Sequence, residues 1–396
     1  VQQYLLYRQI VITISQLTSS GNGSDQTMIS LAKRTTKIDS SGIRKVFALA
    51  AKMENPINLS IGQPHFDVPE DIKETAIAAI RAGKNSYTQT AGLDEFREKI
   101  KRQYVHRGLD LGDVLITSGV SGGILLAFLA VLDEGDEIII PDPFFVMYKH
   151  LANFIGARPV YLDTYPDFQP NPEKLEKLIT PRTKAILINS PCNPTGVIFT
   201  KEMLQAATKI AEKHGLLIIS DEIYEPFLYD QDTLQSPAEF YPYTLILSGF
   251  SKSVAMTGWR LGYAYGPKDI VAAMINIQMY SFVCAPSFAQ HAGMTALDID
   301  LSPTRADYRR KRDLIYNGLK DRFHVVRPGG AFYIFPEAPN GDGDEFVRQA
   351  IENNLLVVPG SVFSERKTHF RISFAAEDHT IERGIEVLNR MADATH

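Results

Sequence analysis

The hydrophobic positions of this chain fall into short runs separated by polar and turn-forming stretches. Val114–Thr117, Asp136–Pro141, Lys184–Asn189, Leu216–Ser220 and Thr244–Ser248 are dominated by Ile, Leu, Val and Ala. Such runs, four to six residues long and bounded by turn residues, predict strands. A longer apolar stretch, Ile124–Leu132, predicts a helix, and a glycine-rich turn, Gly119–Gly123, precedes it. From Gly62 to about Asp300, strand and helix patterns alternate, which predicts an α/β domain with a mostly parallel sheet and helices on both faces. Leu59-Ser60-Ile61 reads as a strand that ends in a glycine turn, and Ser41–Phe47 as the start of an amphipathic helix with Ile43, Val46, Phe47 and Leu49 on one side. Beyond Arg305 the pattern turns helical and charged, and His369–Ala375 alternates as a strand with one arginine, Arg371. Residues 28–60 and 301–396 are therefore expected to form a smaller α+β domain beside a large domain at 61–300. Val1–Thr27 fits neither pattern. Arg8 is the only basic residue ahead of its apolar Ile10–Ile14, and no small-residue cleavage site follows, so a secretory signal is not expected. It reads as a weakly ordered extension.

Composition narrows the function classes. Forty-one basic and 46 acidic residues give a net charge of −5. That balance carries no electrostatic footprint for nucleic acid or an anionic membrane. No apolar run approaches the roughly 20 residues of a membrane span. The two cysteines, Cys192 and Cys284, make no metal-type pair and fit a reduced, cytoplasmic protein. No metal is expected.

The chemistry concentrates at Leu247–Tyr263, LSGFSKSVAMTGWRLGY. Lys252 sits among Ser248, Gly249, Ser251 and Ser253. A lysine in such a turn is poorly solvated, so its amine is kept partly neutral and nucleophilic. Arg260 follows as a permanently charged fork suited to a phosphate. Together they suggest a lysine that forms a Schiff base with a phosphate-bearing aldehyde. The Gly119–Gly123 turn offers free backbone N–H groups at a helix start to the same phosphate. It lacks the Gly-Lys-Ser/Thr of a nucleotide P-loop and the GxGxxG of a nicotinamide enzyme. Asp221 closes the Leu216–Ser220 strand, where open α/β sheets place their ligands.

Gly249-Phe250-Ser251-Lys252 followed by Thr257-Gly258-Trp259-Arg260-Leu261-Gly262 resembles the lysine signature of the class I and II aminotransferases, fold-type I enzymes that use pyridoxal 5′-phosphate (PLP). Ser190–Gly196 (SPCNPTG), Tyr87–Gly92 (YTQTAG), Leu59–Pro64 and Arg327–Tyr333 resemble further segments of that family, so the likeness runs from Ser41 to Ala375. The resemblance implies a seven-stranded large-domain sheet and a homodimer with shared active sites. It implies that Lys252 binds PLP covalently and carries the proton, that Asp221 holds the ring nitrogen, and that Asn193 and Tyr224 hold the ring oxygen O3′. It places Gly119, Val120, Ser121, Ser251 and Arg260 at the cofactor and its phosphate, with Tyr87 serving the neighbouring subunit. Phe145 stacks on the ring, whereas Phe144 and Tyr148 are expected to be ordinary packing. Arg371 grips the substrate carboxylate, with Gly62 and Asn193 beside it, and Ile43 and Phe47 line the entrance.

One departure stands out: many relatives carry Ser or Thr three residues before the lysine, where this chain has Gly249. Ser248, Ser251 or backbone N–H groups are the expected replacements. His65 stands where many relatives have an acid, and reads as a turn residue. Substrate choice is thinly written. SGIRKVF, NSPCNPTG, MTGWRLGY and QMY look most like prokaryotic aromatic or broad-specificity aminotransferases, which favours an aromatic or other neutral donor and 2-oxoglutarate as acceptor. Aspartate is the alternative, and a PLP-dependent C–S β-lyase is the rival chemistry. A DNA-binding regulator built on this fold would need a basic module for which Val1–Lys37 is too short and too poorly charged.

Overall fold

The structure is a computed structural model that describes residues 30–38 and 53–394. The expected extension at Val1–Thr27 and the Ile43 and Phe47 helix lie outside them. The strands are β1 (Ile57–Asn58), β2 (Asp113–Ser118), β3 (Glu137–Asp142), β4 (Arg158–Asp163), β5 (Thr183–Asn189), β6 (Leu217–Asp221), β7 (Thr244–Gly249) and β8 (Leu261–Gly266). Strands β2 to β8 form one seven-stranded sheet in the order β2-β8-β7-β6-β5-β3-β4. Strand β8 runs antiparallel to both of its neighbours, and the other pairs are parallel.

The apolar runs are continuous because both faces of this sheet are covered. Successive strand residues point to opposite faces. Ile138, Ile140, Leu187 and Ile219 join one core with Ile124 and Phe128 of the helix Gly119–Val131. Their neighbours Ile139, Ile186, Ile188 and Ile218 join another with Leu204 and Ile210 of the helix Lys201–His214. Each fully buried Ile or Leu contributes roughly 1.5–3 kcal/mol of transfer free energy, so burial of these side chains on both faces holds the sheet between its helices.

The strand ends carry the chemistry. Asn189 of β5 is level with Asp221 of β6, which is level with Leu247 of β7. Beyond β7 the chain makes one turn of helix, Phe250–Ser253, that holds Lys252. Antiparallel pairing puts Gly249 opposite Gly262 and Ser118 opposite Leu261. The close of β2 and the opening of β8 are thereby brought together, and with them Gly119 and Arg260.

The chain's last third builds β9 (Tyr333–Ile334), β10 (Leu355–Leu356), β11 (Val358–Pro359) and β12 (Phe370–Ser373). Strands β11, β12 and β9 form an antiparallel sheet, and β1 pairs in parallel with β10. The helices Ser302–Leu319, Gly343–Glu352 and Asp378–Asp393 bury Ile315, Phe346 and Leu388 against these strands in the same core. Among the described residues, no helix is long and apolar enough to cross a membrane.

Candidate active site

A cavity of about 830 Å3 opens at the carboxyl ends of β5, β6 and β7 and reaches β9 and β12. Lys252 is half-buried in it, and its Nζ donates to the Gly62 carbonyl at 2.7 Å. Burial, then the charges of Arg371 and Arg260, push the amine down to about 8, against the opposing pull of Asp221. A substantial fraction of it is therefore neutral near pH 7.5, as a nucleophile or proton carrier requires.

Asp221 is buried and its carboxylate is held at both oxygens. Oδ2 accepts from the Tyr148 hydroxyl at 2.7 Å, and Oδ1 accepts from the Ile223 N–H at 3.2 Å. Burial raises it to about 6. An adjacent protonated ring nitrogen would reverse that shift, because opposite charge favours the ionised form. Asn189 locks the same strand end. Its Nδ2 donates to the Asp221 carbonyl at 3.0 Å, and its Oδ1 accepts from the Asn193 N–H at 2.9 Å. Asn193 is thereby fixed between its two prolines.

Arg371 is buried, 1% exposed, on β12. Nη1 donates to Asn193 Oδ1 and Nη2 to the Ser60 carbonyl, both at 2.9 Å. The guanidinium lies between the rings of Tyr333 and Phe363, 4.5 Å from each centroid. Its Nε has no hydrogen-bond partner, and neither of its side-chain hydrogen bonds goes to a carboxylate. A buried cation held only by neutral groups is costly.

At the opposite end, the helix Gly119–Val131 starts at Ser118 without a side-chain cap, so its first N–H groups are available to an anion. Gly119 has φ +67°, and a Cβ there would lie 2.6 Å from Arg260 Nη2. Glycine is therefore required for Arg260 to reach this end of the helix. Arg260 itself sits at φ +55°, with Nη1 donating to the Thr257 carbonyl at 2.9 Å. The Gly249 departure also has a local cause. A Cβ at Gly249 would lie 2.8 Å from Gly262 Cα and 2.9 Å from the Leu261 carbonyl. Ser251 lines the cavity, whereas Ser248 is buried and engages Tyr263.

The structure thus gathers Gly62, Val120, Ser121, Phe145, Asn193, Asp221, Tyr224, Ser251, Lys252, Arg260 and Arg371 around one cavity. Gly119 backs Arg260 from just outside it. Tyr87 lies elsewhere, 84% exposed on the surface. Phe144 is packing, buried and stacked on Tyr161. Tyr148 corrects the expectation of ordinary packing, because its hydroxyl is committed to Asp221 and it lines the cavity. Its three-residue offset from Phe145 at the start of a helix gave no signal of that. Tyr333 and Asn189 were also missed as cavity residues. Tyr333 reaches Tyr224, hydroxyl to hydroxyl, at 2.8 Å. His65 is a turn residue as expected, with Nδ1 3.0 Å from the Tyr308 hydroxyl. Cys192 is buried, and burial pushes its thiol up to about 11, so it is no nucleophile.

Comparison with known proteins decides the family. Residues 54–388 match the family model described as aminotransferase class I and II. The chain belongs to this family. A protein named probable aspartate aminotransferase from Methanocaldococcus jannaschii is 39% identical over 376 residues, 91% of this chain and 99% of that one. An aromatic-amino-acid aminotransferase 2 from Thermococcus litoralis is 36% identical over 92% of this chain and 98% of its own. Among solved structures, the Thermus thermophilus aspartate aminotransferase with maleate superposes with a TM-score of 0.88 at 34% identity, covering 92% of this chain and 100% of that one. The chain is thus a PLP-dependent aminotransferase of fold-type I. Its own residues fit the cofactor. An uncapped helix start and Arg260 suit a phosphate, a depressed amine suits an aldehyde, and a buried carboxylate suits a protonated ring nitrogen.

Proposed function

We propose that this aminotransferase takes an aromatic or other neutral L-amino acid as donor and 2-oxoglutarate as acceptor. The observation that carries the carboxylate half of this reading is Arg371, buried, orphaned at Nε and without an acid partner. A substrate carboxylate supplies the missing counter-charge as a bidentate pair. The side-chain half rests on the apolar lining supplied by Ile38, Ile124, Leu125, Met147, Leu151 and Phe154. Among the described residues, the lysines and arginines that line the cavity are Lys252, Arg260 and Arg371. All three have assigned work, which leaves none for a second substrate carboxylate.

When bound, PLP supplies an electron sink that makes the amino acid's Cα–H acidic and lets the amino group transfer. In this assignment Lys252 would hold the cofactor and then, as a free amine, would take the proton from the substrate's Cα and deliver it to the cofactor's C4′, acting as base and then as acid. Asp221 keeps the ring nitrogen charged, with Tyr148 and Asn189 fixing its carboxylate and its strand end. Tyr224 and Asn193 serve O3′, Phe145 keeps water from the ring face, and Gly119, Val120, Ser121, Ser251 and Arg260 serve the phosphate. Arg371, with Gly62 and Asn193 beside it, orients Cα–H toward Lys252.

The same reading divides the chain into a large domain at 61–300 and a small one at 28–60 and 301–396, and makes the enzyme a cytoplasmic homodimer. Support for the dimer comes from Tyr87, 84% exposed, and from Met279, Tyr280, Phe282 and Val283, a run left 39–89% exposed at the end of the helix Lys268–Met279. Apolar surface of this kind marks an interface. Sedimentation of the holoenzyme should give a dimer at micromolar concentration, and a monomer there would count against the shared site.

Aspartate is the second reading, favoured by the names of two of the similar proteins above. A substrate scan separates the two. Donor amino acids are offered singly to the PLP enzyme, and conversion to the pyridoxamine form is followed by absorbance. Phenylalanine or tyrosine is expected to exceed aspartate in kcat/KM by at least about tenfold, the discrimination of one unpaired charge or one filled apolar pocket. The reverse order would show that an acid-binding cation enters from outside the described residues. Release of pyruvate and ammonia from a cysteine conjugate without pyridoxamine build-up would mean lyase chemistry.

A further inference from the structure

Tyr333 is buried on β9, 1% exposed, and the roles assigned above make no use of it. The strand register explains where it points. Ser373 pairs with Tyr333 across β12 and β9, and Arg371 lies two residues from Ser373 on the same strand. Alternation therefore puts Arg371 and Tyr333 on one face as diagonal neighbours, within reach of long side chains. The Arg371 guanidinium carbon sits 4.5 Å from the Tyr333 ring centroid, an engaged cation–π contact in a dry site. The other end of the same ring carries the hydroxyl that meets Tyr224 at 2.8 Å. Room for that hydroxyl exists because residue 62 is glycine: a Cβ at Gly62 would lie 2.8 Å from Tyr333 Oη.

We propose that Tyr333 is a positioning residue that couples substrate-carboxylate binding to the cofactor, its ring setting Arg371 and its hydroxyl setting Tyr224. The inference rests on the assignment of Tyr224 to the cofactor's O3′. Two hydroxyls at hydrogen-bond distance share one proton between them, so either can donate. Once Tyr224 gives its own proton to the cofactor oxygen, only its lone pairs remain to face Tyr333. The order is then fixed as Tyr333 to Tyr224 to O3′. A donor that itself accepts a hydrogen bond is strengthened by polarisation along the chain. The cation over the ring makes the Tyr333 phenol a better donor still. Arg371 and Asp221 are the charged groups that act on Tyr224, and Arg371 is the charged group that acts on Tyr333. A carboxylate that docks on Arg371 weakens that field at the ring, so its binding reaches O3′ through Tyr333 and Tyr224, beside the shorter path through Asn193, which accepts from Arg371.

The test uses the PLP holoenzyme and reads the bound cofactor's visible absorbance against pH. Tyr333→Phe keeps the ring over Arg371 and removes only the hydroxyl. Stabilising the oxygen anion favours loss of the proton it shares with the adjacent imine nitrogen, so losing the hydroxyl is expected to raise the titration midpoint by about half a unit. In that variant kcat falls by roughly three- to tenfold, and KM for the amino acid moves less than about threefold. Tyr333→Leu removes the ring as well, and KM then rises by about tenfold or more. In a Tyr224→Phe background, Tyr333→Phe should add no further midpoint shift, because the relay is already cut. An unchanged midpoint in Tyr333→Phe, or an equal shift with the Tyr224 hydroxyl gone, overturns the relay while leaving the aminotransferase intact. Wild-type protein whose visible band fails to titrate, or whose midpoint is unmoved by Tyr224→Phe, would instead remove the assignment of Tyr224 and the inference with it.

Discussion

Lys252→Ala is expected to lower the rate of amino-group transfer by at least about 10⁴-fold, because one substitution removes both the covalent anchor and the proton carrier. The loss is local. The Lys252 amine donates to the Gly62 carbonyl, and its depressed pKa means that burial disfavours its charge. Removing it therefore relieves a desolvation cost, and the thermal midpoint of the apoprotein should stay within a few degrees of wild type. Borohydride reduction followed by peptide mass analysis should find PLP on Lys252 in the wild type and on no residue in the variant. The same amine predicts a pH dependence. Its neutral form captures the aldehyde, so the rate of PLP capture by apoprotein should rise with pH through about 8 and level off above it. Turnover above about 1% of wild type in Lys252→Ala, with an adduct on another lysine, would sink the assignment.

Arg371 carries the second large effect. Arg371→Leu should reduce kcat/KM by about 10²–10³-fold, about 3–4 kcal/mol and within the range lost when one partner of a buried charge pair is truncated. Most of the loss should appear in KM, since the carboxylate is gripped before and during the chemistry alike. Arg371→Lys keeps the charge but not the planar fork that donates to Asn193, to Ser60 and to a carboxylate. Its loss should be intermediate, about ten- to hundredfold. Because every amino acid and 2-oxo acid shares the carboxylate, the penalty should be equal for phenylalanine, aspartate and 2-oxoglutarate within a factor of about three. A penalty confined to dicarboxylic substrates would mean that Arg371 reads the side chain instead.

Much of this site was legible before any coordinates. Lys252, Asp221, Asn193, Arg260 and Arg371 each sit in a short motif whose chemistry is local: a lysine in a small-residue turn, an acid at a strand end, an amide between prolines. Their convergence was expected from the resemblance; the register of β5, β6 and β7 levels the strand ends that carry Asn193, Asp221 and Lys252, and Arg260 and Arg371 line the same cavity. Strand β8 is a different case. Its Leu-Gly-Tyr-Ala-Tyr-Gly pattern is poor in β-branched residues, and only its antiparallel pairing with β2 and β7 brings Gly119 to Arg260 and Gly249 to Gly262.

The sequence by itself determined the covered sheet and the reactive groups, because apolar periodicity and motif chemistry are properties of neighbours along the chain. The tertiary structure decided which groups support them. Tyr148 is 73 residues from Asp221, Tyr333 is 109 residues from Tyr224, and Arg371 is 178 residues from Asn193. A hydrogen bond between side chains so far apart leaves no periodic trace, since each partner's local motif says nothing of the residue it meets. The reactive lysine was written in its own turn, but the burial that lowers its pKa, and the orphaned arginine that waits for a carboxylate, exist only once distant strands have closed around them.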